Sequence, residues 1–340
     1  MSRNKIHPEL PQINAKCLVT GANGFVGSHL CERLLELGCD VYAFIRRTSD
    51  TKYLKDLDVH YRYGELNDTD SLMQAVEGFE YIFHVGGVTK AKLKSTFYDV
   101  NQQGTANLLH AVRKNCKHIK KFIYISSQAA VGPSQGAQPA VEEKIPAPVT
   151  TYGKSKLEGE KEVLKYSDSL PYVIIRPPGV YGPRDTEILT FFKAASLGIK
   201  PFFSGEEATI SLIYVENLVD GIIRSAISEK TIGNTYLISD GNVLKWNEVV
   251  DTLLSAFGKK GLKVTIPVSI FMLWGWISEL AFKAVGKTPM LTREKALEIT
   301  AKNWGCSIDK AINDFNYTPR FSFEEGINIT AQWYNENKWL

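Results

Sequence analysis

The residues best equipped for chemistry are Tyr152 and Lys156, in the run Tyr152-Gly153-Lys154-Ser155-Lys156. Four positions apart, they share one face of a helix. A tyrosine ordinarily titrates near ~10. A nearby ammonium and the positive ring of an oxidised nicotinamide both favour its phenolate. Such a tyrosine can give and take protons near neutral pH. This pair opens a helix about 25 residues after the strand end Ser126-Ser127.

Upstream lies a loop of the kind that seats a dinucleotide. Thr20-Gly21-Ala22-Asn23-Gly24-Phe25-Val26-Gly27 follows an apolar run and opens a helical pattern. Glycines there allow a tight turn, close approach to a pyrophosphate, and packing of helix on sheet. The helix N-terminus offers N–H groups to phosphate. The reading places Gly21, Asn23, Gly24, Phe25, Val26 and Gly27 against a cofactor. About 24 residues past Gly21 the second strand ends, where an acid would read the ribose of NAD. Arg46 and Arg47 stand there instead, with no Asp or Glu at that point. Arginine can hold a 2′-phosphate bidentately, so NADP is expected, with Arg46 as its main partner and Arg47 or Lys52 as helpers. Two solvated arginines beside an NAD site are the alternative.

These residues need a parallel sheet to position them, and the sequence predicts one. Strands are expected at Cys17–Thr20, Val41–Ile45, Val59–Tyr63, Tyr81–His84, Lys121–Ile125 and Tyr172–Ile175. Helices are expected over Phe25–Leu37, Asp70–Val76, Val100–Arg113 and Tyr152–Lys165. Alternating β and α patterns read as an α/β fold, a Rossmann-type doubly wound sheet. After Arg176 the rhythm weakens, with Pro177, Pro178, Gly179, Gly182 and Pro183 marking a loop. The expected division is a dinucleotide-binding domain over 1–176, with a strand near 235–238 returning to it. A smaller, mostly helical substrate-binding domain takes 177–340.

Bulk properties narrow the class further. The 340 residues are 44% hydrophobic and 23% charged, with net charge +3. That balance gives no sign of a nucleic-acid partner. The basic run Arg113–Lys121 falls at a helix end, where cations complement the dipole. Five scattered cysteines without a C-x-x-C indicate neither disulfides nor a metal site. The segment 1–15 is polar and unlike a signal peptide, so a cytoplasmic location is expected. Val264–Ser278 is uncharged but shorter than the roughly 20 apolar residues a spanning helix needs. It reads as a buried helix rather than an integral membrane segment. Peripheral contact of 264–285 with a membrane, or with an apolar substrate, is the alternative.

Taken together, the motifs identify the chain as resembling an extended short-chain dehydrogenase/reductase, of the NAD-dependent epimerase/dehydratase superfamily. It is most similar in look to dihydroflavonol reductases and 3β-hydroxysteroid dehydrogenases. The motifs are TGANGFVG (20–27), IFHVGG (82–87), DVNQQGTANLL (99–109), FIYISS (122–127), YGKSK (152–156), RPPGVYGPRD (176–185) and SLIYVENLVDG (211–221). The resemblance implies that Ser127 orients the substrate oxygen, that Tyr152 passes its proton, and that Lys156 binds the nicotinamide ribose and lowers the tyrosine pKa. Asn101 matches the family asparagine beside the site, with a plain helix cap as its alternative role. Ser126 stays open as the active hydroxyl in place of Ser127. Glu65 and Leu66 would lie near the adenine, with Glu65 replacing a usual aspartate. Val85, Gly86, Ser126, Pro177 and Val180 would also touch the cofactor. Thr89, Ser127, Gln128 and Tyr181 would face the substrate. Gly86 and Gly87 replace usual alanines, which suggests extra room near the nicotinamide.

Three functions follow as expectations. The leading one is NADP-dependent hydride transfer to or from a secondary alcohol or ketone of a small, semi-apolar substrate. The second is a nucleotide-sugar epimerase with a retained cofactor, for which Arg184 and Arg224 would supply cations. The third is a non-catalytic NADP sensor. Dehydration is discounted, because Gln128-Ala129 stands where dehydratases carry an Asp-Glu pair. A homodimer through the helices near 100–114 and 152–166 is expected from the resemblance.

Overall fold

A computed structural model describes residues 9–134, 136, 138–203, 208–284 and 291–340. The polar segment at 1–8, and residue 285 at the end of the apolar stretch, lie outside the described residues. The first half alternates strand and helix: β1 (Lys16–Thr20), α1 (Phe25–Glu36), β2 (Asp40–Ile45), β3 (His60–Tyr63), α2 (Thr69–Ala75), β4 (Tyr81–His84), α3 (Lys94–Tyr98), α4 (Gly104–Asn115), β5 (Lys121–Ile125), α5 (Thr151–Leu164) and β6 (Tyr172–Arg176). The later part comprises β7 (Gly179–Tyr181), α6 (Leu189–Ser196), β8 (Ile199–Phe203), β9 (Thr209–Ile210), β10 (Leu212–Tyr214), α7 (Val215–Ile227), β11 (Asn234–Leu237), β12 (Leu244–Lys245), α8 (Trp246–Ser255), β13 (Leu262–Ile266), α9 (Val268–Ala284), α10 (Arg293–Thr300), α11 (Asp309–Phe315) and α12 (Phe323–Glu336).

The main sheet has seven strands in the order β11-β6-β5-β4-β1-β2-β3, each pair parallel. This is the doubly wound arrangement, whose ligand crevice opens at the strand C-termini where the order reverses, between β1 and β4. The central strands are β-branched and aromatic because both faces are covered. β5 and β6 are buried along their whole length. One core layer packs Val19, Leu30, Leu34, Ile123 and Ile222, and the other packs Leu18, Leu72, Leu108, Phe122 and Ile174. A separate core of Phe192, Tyr214, Leu253, Phe323 and Tyr334 holds the mostly helical C-terminal part.

Two elements depart from the sequence expectation. The helix predicted from Val100 begins at Lys94 and widens to a π-turn over Asp99–Gln103 before α4. The apolar run at 264–278 is not buried as one helix. Its first residues pair as β13 with β8, and α9 leaves Leu273 and Trp274 half exposed. Composition alone could not tell an inward from an outward apolar helix, because burial depends on what packs against it. No described helix is long and apolar enough to cross a membrane.

Candidate active site

The loop between β1 and α1 is a ready seat for phosphate. Gly21 has φ +67, and a Cβ there would meet the Gly86 Cα at 2.7 Å. Gly24 caps α1 without a side-chain hydrogen bond, so no side chain competes for the first-turn N–H groups of Phe25, Val26 and Gly27. A Cβ on Gly27 would lie 2.2 Å from the Gly21 carbonyl oxygen. The residues therefore fit a dinucleotide pyrophosphate at this helix end. Asn23 Nδ2 donates to the Asp50 carbonyl at 3.2 Å, tying this loop to the turn after β2. That turn carries Arg46 and Arg47, both exposed, with the Arg47 guanidinium 5.0 Å from the Tyr63 ring. Glu65 is exposed and Leu66 half-buried, the latter offering its carbonyl to Asn107 Nδ2 at 3.0 Å.

At the opposite side of the crevice α5 begins. Thr150 caps it, its hydroxyl accepting from Gly153 N. Tyr152 is half-buried, and Ser127 lies near enough to act on its phenol. Burial holds its phenol well above the ordinary range; the Ser127 contact opposes this, and the charges of Glu187 and Glu298 add to it. Ser127 Oγ also accepts from Ala129 N at 3.1 Å. Ser126 is differently placed: it is buried, and its hydroxyl donates to Glu160 Oε1 at 2.5 Å. Of the two serines, Ser127 is the one beside Tyr152.

Lys156 Nζ donates to the Ile125 carbonyl at 2.7 Å and sits 4.3 Å from the centre of the Tyr124 ring. Burial pulls it down to about 7, which the charge of Glu160 opposes. One of its three donors is thus held by a backbone carbonyl.

Asn101 is not a helix cap. Its Oδ1 accepts from Val88 N at 2.8 Å, and its Nδ2 donates to the Val88 carbonyl at 3.0 Å and to Ser155 Oγ at 2.9 Å. The π-turn exposes its side chain to this double task, as such bulges often do at working sites. Close packing makes the junction possible. A Cβ on Gly159 would lie 2.2 Å from Tyr124 Oη and 2.5 Å from the Asn101 carbonyl oxygen. The room expected at Gly87 is also taken: a Cβ there would stand 2.9 Å from Asn101 Oδ1.

Two of the expected substrate residues are buried against other parts of the chain. Tyr181 was expected at the substrate, but it is buried in the C-terminal core. Its hydroxyl donates to Asp240 Oδ2 at 3.0 Å. Gln128 is buried too, its Nε2 donating to the Trp304 carbonyl at 3.1 Å. Thr89 stays exposed and donates to Glu187 Oε1 at 2.8 Å. Val85 and Gly86 follow β4 beside the nucleotide loop, where Gly86 N donates to Thr20 Oγ1 at 3.0 Å. Pro177 is buried, its carbonyl accepting from Gln128 N at 2.8 Å, and Val180 is half-buried against two cores.

Sequence reasoning passed over the groups behind these. His84 bridges Thr20 Oγ1 at 2.7 Å and Thr105 Oγ1 at 3.0 Å, and Thr105 donates to the Asn101 carbonyl at 2.8 Å. Burial pushes His84 down to about 3, so it is neutral. Since Thr105 spends its proton on Asn101, His84 must donate from Nε2 and accept at Nδ1. The chain links the nucleotide loop to Asn101. Its signal was the histidine inside IFHVGG. Glu160, one turn beyond Lys156, binds Arg176 of the RPP motif through Nε at 2.9 Å and Nη2 at 2.7 Å. Glu294 of α10 accepts from Thr151 N at 2.6 Å and from Thr151 Oγ1 at 2.9 Å; nothing local in the sequence announced it.

Comparison with known proteins agrees with this geometry. The model of the family described as NAD dependent epimerase/dehydratase family matches residues 17–239. The chain is similar to a ceramide reductase of Caulobacter vibrioides (strain NA1000 / CB15N), 28% identical and covering 95% of both chains. It is 28% identical to a 3 beta-hydroxysteroid dehydrogenase/Delta 5-->4-isomerase of Mycobacterium tuberculosis (strain ATCC 25618 / H37Rv), over 94% of this chain and 90% of the relative. It is 30% identical to a 2-alkyl-3-oxoalkanoate reductase of Stenotrophomonas maltophilia (strain K279a), over 92% of this chain and 97% of the relative. Among solved structures, that of gox2253 superposes with a TM-score of 0.79 at 27% identity, covering 95% of this chain and 98% of the other.

Proposed function

Because the chain belongs to the NAD dependent epimerase/dehydratase family, we propose that it is an NADP-preferring oxidoreductase acting on a secondary alcohol or ketone of a small, semi-apolar substrate. The observation that carries this reading is the glycine loop between β1 and α1, built to take a pyrophosphate, in the same sheet as the β5 end at Ser127 and the first turn of α5 with Tyr152. A bound nicotinamide supplies or accepts the hydride. The chain's own residues do the rest. Ser127 holds the substrate oxygen beside Tyr152, and Tyr152 Oη delivers or removes the proton on that oxygen. Burial makes Tyr152 a poor acid on its own, so the cationic ring of an oxidised cofactor is what would draw its phenol toward neutrality. Lys156, held by the Ile125 carbonyl, would bind the ribose of that nicotinamide. Asn101 fixes the β4 loop and α5 at one spacing.

Arg46 and Arg47 support the NADP preference: two exposed cations follow β2 where an acid would favour NAD. The names of the relatives support a carbonyl or alcohol on an apolar skeleton. The epimerase reading gains less. Arg184 is engaged by Ser28 Oγ at 3.0 Å and Glu32 Oε1 at 2.6 Å, and Arg224 is half-buried among Asp220 and Arg33. Neither is poised for a sugar-nucleotide diphosphate. The dehydratase reading has no acid at Gln128, whose amide is tied to a backbone carbonyl.

The test is turnover of purified protein with NADPH and a panel of semi-apolar ketones, followed by loss of reduced-nicotinamide absorbance. Stoichiometric oxidation of NADPH, with weaker use of NADH, is the expected result. Interconversion of nucleotide sugars without net change in cofactor absorbance would replace it with the epimerase.

A further inference from the structure

Helix α9 is predominantly apolar, and among the described residues one of its sides, the inner, packs on α10. A Cβ on Gly275 would lie 3.0 Å from the Thr292 carbonyl oxygen, and Glu279 Oε1 accepts from Arg293 N at 2.9 Å. The outer side carries Ile270, Leu273, Trp274 and Ile277, spaced i, i+3, i+4 and i+7, with Trp276 at its border. These five side chains are each 42–51% exposed. Among the described side chains of α9, Glu279 is the one ionisable group, and it is turned to α10. A cluster of adjacent large apolar side chains on a surface marks something that covers it.

The approach to this helix is basic. Lys259, Lys260 and Lys263 precede α9 and are exposed. Leu262, between them, is 73% exposed, and Leu197 beside the paired strand is 76% exposed. Indole rings settle where one side is apolar and the other wet, and exposed lysines meet anionic headgroups. A second copy packed on the same face by a two-fold axis would bring like charges together. The charge pattern therefore fits a negatively charged lipid surface better than self-association.

The position of α9 links this surface to the chemistry. α10, on which it packs, is a wall of the site: Glu294 binds Thr151 next to Tyr152, and Glu298 acts on the Tyr152 phenol. The outer face of α9 is thus one helix removed from the reacting residues. We propose that this face rests on an anionic phospholipid bilayer and that the substrate is a lipid-borne alcohol or ketone drawn from it into the site. The proposal rests on the Tyr152 reading above for the reaction, but not for the membrane contact.

The test uses the full chain with vesicles of phosphatidylcholine alone, or of phosphatidylcholine mixed with phosphatidylserine. Sedimentation with the mixed vesicles is expected, weakened about tenfold by high salt or by omitting phosphatidylserine. The variant Leu273→Glu/Trp274→Glu/Ile277→Glu, at solvent-exposed positions, should lose about tenfold or more of this binding. Circular dichroism and NADPH binding verify that it folds. Its reduction of a vesicle-embedded long-chain ketone should fall by a similar factor, while reduction of a short water-soluble ketone stays unchanged. The unmutated chain failing to sediment, the variant sedimenting equally, or the variant merely turning a dimer into a monomer would each overturn the proposal. Vesicle binding without any turnover of either ketone would uphold the surface and instead remove the Tyr152 reading.

Discussion

Substituting Glu160→Leu attacks the ion pair on which the site is built. Glu160 is 2% exposed and Arg176 7%. The carboxylate accepts from Arg176 Nε at 2.9 Å, from Arg176 Nη2 at 2.7 Å and from Ser126 Oγ at 2.5 Å. Removing it leaves a buried guanidinium whose remaining hydrogen bond among the described residues is to the Glu142 carbonyl at 3.4 Å. Breaking a buried pair from one side costs about 3–5 kcal/mol. With an unfolding entropy of about 2.1 cal/mol/K per residue, each kcal/mol lowers the midpoint of a 340-residue chain by about 1.4 °C. The expected fall in Tm is therefore about 4–7 °C. Arg176→Met should cost a similar amount. The double variant Glu160→Leu/Arg176→Met removes both charges and should recover all but about 1 kcal/mol, the part owed to Ser126 losing its acceptor. Thermal and urea unfolding of the four proteins give the cycle. Additive losses in the double variant, or a Tm change under about 1 °C in Glu160→Leu, would refute the claim that these charges are buried on each other.

Other perturbations read the rest of the site. Arg46→Asp exchanges a cation for an anion at the β2 end and should weaken NADPH binding by about 10–100-fold, leaving NADH binding nearly unchanged, by fluorescence titration. Gly159→Ala puts a methyl into a space already filled by Tyr124 Oη and the Asn101 carbonyl; a loss of about 1–3 kcal/mol in urea unfolding and reduced kcat are expected. Lys121 Nζ is buried against the Ser225 carbonyl and Thr231 Oγ1, and burial pulls it down to about 8. Between that value and the ordinary lysine value of about 10.4, the unfolded chain holds the proton and the folded chain does not. Stability should thus rise with pH across that window and be flat in this respect below it, and Lys121→Met should lose that slope in unfolding measurements.

The sheet was legible because its strands are continuous β-branched or aromatic runs between glycines and polar turns, a pattern that burial on both faces imposes. The glycine loop and the helix that opens with Tyr152 were legible because each needs fixed spacing: glycines where backbone approaches backbone, and four residues where two side chains share a helix face. Side-chain direction outside such patterns was not. Tyr181 sits in a motif that ends in a short strand, and neighbours along a strand face opposite ways; Val180 is half-buried while Tyr181 faces the core. The π-turn at Asn101 has no local signature, because it arises from packing against Gly159 and the Val88 backbone. Glu294 acts on Thr151 across 143 residues, a contact only the tertiary fold creates. The outward face of α9 stood only as the alternative to a buried helix, for a related reason. An apolar helix in sequence is simply apolar, and whether anything covers it is decided elsewhere in the chain.

The central claim is that the phenol of Tyr152 carries the proton in a hydride-transfer reaction. The direct measurement is Tyr152→Phe, comparing kcat on a ketone that the unmutated protein reduces with the Kd for NADPH. The account predicts a fall in kcat of about 10²–10⁴-fold with cofactor affinity preserved within about threefold. Turnover that survives the loss of this one oxygen would contradict it.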